Sequence, residues 1–86
     1  MTAEEALELL RANVLAVLDG VPDAVPPDQV VAESTLADLG LSSLERLDVL
    51  VGSLDDAGLS PSVDVLDGAH TLAELAEVLA TATRAW

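Results

Sequence analysis

Apolar residues recur at helical spacing in three separate stretches of this chain. In the first, Leu7, Leu10, Val14 and Val17 share one face, and Ala6 and Leu18 widen the stripe. Thr2-Ala3-Glu4-Glu5 has the form of a capping box, and Asp19-Gly20 with Pro22 beyond it stops the run. This predicts a helix from about Thr2 to Asp19. In the second stretch Leu44, Leu47, Val51 and Leu54 form the expected buried stripe, and Leu50 adds to it, within a helix predicted over Ser43 to Asp56. Gly58 lies just beyond its end as the expected C-cap, while Gly52 inside it costs about 1 kcal/mol relative to Ala. Close approach of another backbone or of a ligand would account for that glycine. In the third, Thr71-Leu72-Ala73-Glu74 is another capping box, and Leu72, Leu75, Leu79 and Ala82 follow on one face to about Arg84.

Between the first two helices, Val21 to Gly40 is rich in Pro, Asp and Ser and long for a connection in a small domain. A solvated linker would lack its apolar anchors Val30, Val31, Leu36 and Leu39, so a packed loop is expected, with Leu36 and Leu39 on one helical turn. Ser60-Pro61-Ser62 opens a short segment in which Val63, Val65 and Leu66 allow one further turn of helix before Asp67-Gly68.

At 86 residues the chain is long enough for one modest core. Trp86 is its only aromatic residue, most simply a frayed terminus, so the core is built from Leu, Val and Ala, which favours helices. Sixteen acidic residues face three arginines (Arg11, Arg46 and Arg84), for a formal net charge of -13. Such a surface repels nucleic acid and anionic lipid and is drawn to basic patches on other proteins. Cysteine is absent, which removes disulfides and thiolate chemistry. The acidic start has none of the cations of a signal peptide, and no apolar run approaches membrane-spanning length. A cytoplasmic, monomeric helical domain occupying 1-86 is expected.

The chemistry concentrates in Asp38-Leu39-Gly40-Leu41-Ser42-Ser43-Leu44-Glu45. Ser42 and Glu45 form a capping box, which makes Ser42 the N-cap and Ser43 the first helical residue. A phosphate ester on Ser43 would sit at the positive end of that helix, where free amides and the macrodipole favour negative charge. Other chemistries lack their parts. His70, the only histidine, stands beside the Thr71 cap and offers no base to a serine nucleophile, and no Gly-x-Ser-x-Gly elbow is present. Asp64 and Asp67 are too sparse for a calcium loop, and the glycines form no phosphate-binding loop.

Leu39-Gly40-Leu41-Ser42-Ser43-Leu44 resembles the phosphopantetheine attachment motif of acyl carrier proteins, Leu-Gly-x-Asp-Ser-Leu, with Ser42 in the place of Asp. Leu36-Ala37-Asp38-Leu39-Gly40 matches the run that precedes the serine in many members, and the similarity extends over essentially the whole chain. The resemblance implies an all-α four-helix bundle with a long first loop and a short third helix. It further implies 4′-phosphopantetheine, taken from coenzyme A by a phosphopantetheinyl transferase with Mg²⁺ and joined to the Ser43 hydroxyl. The arm would hold acyl intermediates as thioesters for polyketide, fatty-acid or nonribosomal peptide assembly. Ser43 would be an anchor and no residue a catalyst.

Ser at position 42 keeps the cap but removes a negative neighbour that a transferase would meet. The second helix resembles the family's recognition helix, so Leu44, Glu45, Arg46, Asp48, Asp55 and Asp56 are candidate contacts for a ketosynthase, an acyltransferase or another acyl-processing enzyme with a basic docking patch. Leu41 is either core or an exposed apolar contact beside the serine, and the contact is preferred. Met1 so close to the first helix suggests a freestanding protein, and the Ala/Leu/Val/Asp bias without Lys, Phe or Tyr suggests bacterial specialised metabolism. An acidic helical adaptor with the same fold and no prosthetic group is the alternative.

Overall fold

The computed structural model describes residues 1–21, 24–59 and 69–84. Three α-helices, α1 (Ala3–Leu18), α2 (Ser43–Asp56) and α3 (Leu72–Arg84), carry the fold, with a 3-10 turn at Pro27–Gln29 in the first connection. The only extended pairing among the described residues is an isolated antiparallel bridge between Thr35 and Thr71. The expected all-α architecture is therefore what the chain adopts. The short helix expected over Ser60 to Leu66, and Trp86, lie outside the described residues.

Each helix starts where its cap predicts. Thr2 Oγ1 accepts from the Glu5 amide at 3.1 Å while the Glu5 carboxylate accepts from the Thr2 amide at 2.9 Å. Thr71 and Glu74 repeat the exchange at 3.1 and 3.0 Å, and the His70 amide adds a second backbone donor to the Glu74 carboxylate. These donors hold both carboxyls below their ordinary range, chiefly the Thr2 amide for Glu5 and the Thr71 amide for Glu74. At the far end of α2 the Leu59 amide reaches back to the Leu54 carbonyl and the Gly58 amide to Asp55, closing the last turn around the Ala57 cap.

The helix α1 is the spine, packing against both α3 and α2. Its core face is Ala6, Leu10, Val14 and Leu18, four residues apart; Leu7 and Val17, expected at the centre of the stripe, flank it half-buried. Leu72, Leu75, Ala76, Leu79 and Ala80 of α3 close on it, with Ala82 at the margin. Each fully buried Leu or Val contributes about 1.5–3 kcal/mol.

In α2 the expected stripe is turned. Val49, Ser53 and Leu54 are buried, whereas Leu47 is 43% and Leu44 69% exposed. Leu50 and Val51 lie between. Apolar residues occupy more than half of this helix's circumference, so spacing alone does not choose the inner face. Packing of Val49 and Leu54 against the core decides it. Gly52 allows the approach of α1: a β-carbon there would come within 2.6 Å of the Asn13 side-chain oxygen.

The first loop is packed, as expected. Val30, Leu36 and Leu39 are buried, while Val31 stays exposed. The Arg11 guanidinium spans the loop, donating to the Val30 carbonyl at 3.2 Å and the Pro27 carbonyl at 2.9 Å. The Leu72 and Ala73 amides donate to the carbonyls of Ser34 and Ala32, fastening the loop to the start of α3. From Thr35 to Leu41 the chain runs through hydrogen-bonded turns rather than a helix. Gly40, at φ 78°, takes the left-handed conformation that redirects the chain into α2.

Candidate functional site

The turn at Gly40 delivers the chain to Ser42, whose backbone is extended at φ -69° and ψ 169°. Its hydroxyl accepts from the Glu45 amide at 3.2 Å, and the Glu45 carboxylate accepts from the Ser42 amide at 2.8 Å. That capping box commits the Ser42 side chain to the backbone and leaves Ser43 as the first residue of α2.

Ser43 is exposed, and the partner of its hydroxyl is Arg46, one helical turn on, whose Nη2 donates to Oγ at 3.2 Å. The Ser43 and Leu44 amides make no hydrogen bond among the described residues, as the first turn of a helix leaves them. Arg46 Nε is buried and has no acceptor among the described residues. A hydroxyl, two free amides and a guanidinium with a spare donor thus belong to the first turn of one helix, at its positive end. This donor set fits a phosphate group on the Ser43 oxygen.

A groove of about 560 Å³ opens beside the serine. Its apolar wall is formed by Leu36, Ala37, Leu47, Leu50, Ala69 and Leu75, and Thr35, Ser43, Arg46 and His70 add polar groups. Thr35 and His70 meet there because the Thr35–Thr71 bridge draws the first loop to the start of α3. No local spacing in the sequence signals that encounter. Groups of histidine, cysteine and carboxylate able to hold a metal ion are absent among the described residues. No described helix is long and apolar enough to cross a membrane.

The remaining candidate residues divide by exposure. Leu44 projects into solvent beside Ser43, and Asp48, Asp55 and Asp56 are exposed on the same helix. Glu45 and Arg46 are half-buried, occupied with the cap and with the Ser43 hydroxyl. Asp56 also accepts from Asn13 Nδ2 at 3.0 Å, so it ties α2 to α1. Leu41 is a correction. It is 5% exposed and belongs to the core, since the Gly40 turn directs it inward with its amide on the Leu36 carbonyl. Leu47, expected to be buried, is instead an exposed neighbour of the serine along the groove.

Comparison with protein families finds a match to the one described as a phosphopantetheine attachment site, over residues 10–79. The matched span contains α2, the whole described first loop and most of α1 and α3. Searches of curated proteins and of solved structures returned no match.

Proposed function

The chain belongs to the phosphopantetheine attachment family, and from that premise we propose that it is an acyl carrier protein loaded on Ser43. In this role it holds acyl intermediates as thioesters for polyketide, fatty-acid or nonribosomal peptide assembly. The observation that carries the assignment of the anchor is the division of labour between the two serines. Ser42 is engaged in the capping box, while Ser43 presents an exposed hydroxyl at the start of α2.

The family's domain is a carrier and not a catalyst. The group it binds, 4′-phosphopantetheine, supplies a terminal thiol for thioester chemistry. The chain's own residues anchor, position and recognise. Ser43 offers the oxygen for attachment, and the free amides of Ser43 and Leu44 favour the negative charge that attachment brings. Tethering gives a thioester on a flexible arm a high effective concentration at any enzyme that docks.

Docking falls to α2 in this reading. Leu44 and Leu47 offer exposed apolar contact beside the anchor, and Asp48, Asp55 and Asp56 offer negative charge along the helix. With a net charge of -13, association with a basic patch is steered over long range and weakens as salt rises. The lysine-free, alanine-rich composition supports a bacterial carrier of specialised metabolism.

The test is incubation with coenzyme A, Mg²⁺ and a broad-specificity phosphopantetheinyl transferase, followed by intact-mass measurement. One added phosphopantetheinyl unit is expected on the native chain and on Ser42→Ala, and none on Ser43→Ala. Modification that survives in Ser43→Ala overturns the anchor. Failure with several transferases would favour the adaptor that keeps this fold without a prosthetic group.

A further inference from the structure

Among the described residues Arg46 is the one cation at the modification site, and its hydrogen bonding there is incomplete. A guanidinium carries five N–H donors. Among the described residues this one makes a single hydrogen bond, to a neutral hydroxyl, through Nη2. Its Nε is buried without an acceptor. Neither Arg11 nor Arg46 has a carboxylate partner among the described residues, but only Arg46 leaves a buried donor unmet. The carboxylate nearest in sequence, Glu45, is turned away onto the Ser42 amide. The residue one turn before Arg46 is Ser42, which brings no charge. The contrast with Arg11 is plain, since that guanidinium is spent on two loop carbonyls.

A buried, unpaired donor on a charged group is costly unless an acceptor arrives. The fork of a guanidinium matches two oxygens of a phosphate, and such charge-assisted bonds are about twice as strong as neutral ones. The oxygen Arg46 already touches is the one to which the phosphate is joined in the loaded protein.

We propose that Arg46 is a positioning residue that grips the phosphodiester of the arm on Ser43, together with the free amides at the start of α2. The inference rests on Ser43 as the anchor and goes beyond it. In the unloaded protein Arg46 is held on the hydroxyl; in the loaded protein it transfers to the phosphate oxygens and satisfies Nε. The root of the arm is then fixed at the mouth of the groove, and the arm swings from that fixed point rather than from a freely rotating side chain.

The experiment uses the full chain, unloaded and loaded, with loading verified by intact mass. It follows the arginine Nε–H signals in ¹⁵N-resolved spectra and the phosphodiester in ³¹P spectra. Only three arginines contribute, and Arg46→Gln assigns the signal of interest. On loading, the Arg46 Nε–H signal should shift and its exchange with water slow several-fold, with Arg11 unchanged. The ³¹P resonance of the native loaded protein should be displaced from that of loaded Arg46→Gln, with Arg46→Lys in between.

Loading should also raise Tm in the native chain more than in Arg46→Gln. Ser42→Asp, which keeps a capping residue and places a carboxylate one turn from Arg46, should weaken the ³¹P displacement. Loading that leaves the native Arg46 Nε–H signal where it stands in the unloaded chain, with a ³¹P position equal to that of loaded Arg46→Gln, overturns the grip while leaving the anchor intact. No mass gain on the native chain overturns both.

Discussion

A β-carbon on Gly52 would lie 2.6 Å from the side-chain oxygen of Asn13. Asn13 cannot easily yield, because its Nδ2 donates to the Leu9 carbonyl at 2.9 Å and to the Asp56 carboxylate at 3.0 Å. The glycine in the middle of α2 is therefore explained by a side chain of α1 that joins the two helices. Gly52→Ala should destabilise by about 1–2 kcal/mol, overpacking outweighing the ~1 kcal/mol that Ala gains in helix propensity. In an Asn13→Ala background the same change should become stabilising, because the obstacle is gone. Urea titration of the four variants checks this. An equal effect of Gly52→Ala in both backgrounds would show that Asn13 is not the obstacle.

The carboxylate of Glu74 receives the amides of Thr71 and His70 in the folded chain, which holds its pKa below the ordinary range. A group depressed in this way contributes stability above its unfolded pKa, about 4.3, and loses it as pH falls through the folded value. Glu74→Gln keeps an acceptor oxygen and removes the titration. Its Tm should therefore fall less steeply than that of the native chain from about pH 5 to about pH 3. The idea fails if the two acid limbs have the same slope.

The parts of this fold legible in the sequence are those fixed by neighbours in the chain. Thr2 with Glu5, Ser42 with Glu45 and Thr71 with Glu74 each set a helix start three residues apart, and each is formed. Ser43 follows from Ser42 for the same reason. Its contact with Arg46 also lies at a spacing of one helical turn, and a cation placed to reach the serine was a signal available in the sequence.

The inner face of α2 was not legible. Leu44, Leu47, Val51 and Leu54 make as good a stripe as Val49, Leu50 and Leu54, and the polar Ser53 argues for the wrong one. Nor could spacing pair Arg11 with the loop carbonyls or bring Thr35 to Thr71, since those meetings join distant segments.

That rotation of α2 separates two leucines of the same predicted stripe. Leu54 is fully buried and Leu44 is 69% exposed. Leu54→Ala should cost about 2–5 kcal/mol, a large share of the stability of a domain this size. Leu44→Ala should change stability by no more than about 0.5 kcal/mol. The surface leucine should instead matter to partners, so Leu44→Ala should slow loading by a transferase at unchanged Tm. Thermal melts with a timed mass assay test the pair. Equal melting losses would place Leu44 in the core.

Ser53 lies at the centre of the buried face of α2 with its Oγ fully enclosed and without a partner among the described residues. A hydroxyl removed from water and given no hydrogen bond is a net cost, and a serine in a helix interior is a weaker helix former than alanine. Both effects point the same way, and only one small atom is lost from the packing. Ser53→Ala should therefore stabilise the chain by about 1 kcal/mol. The gain should appear as a higher urea midpoint at unchanged m, because the surface exposed on unfolding stays the same. The hydroxyl is remote in sequence from Ser43, so loading should proceed as in the native chain. A lower midpoint would mean that the Ser53 hydroxyl donates to a buried acceptor or an ordered water, and that the face it occupies is specified by that bond rather than merely tolerating it.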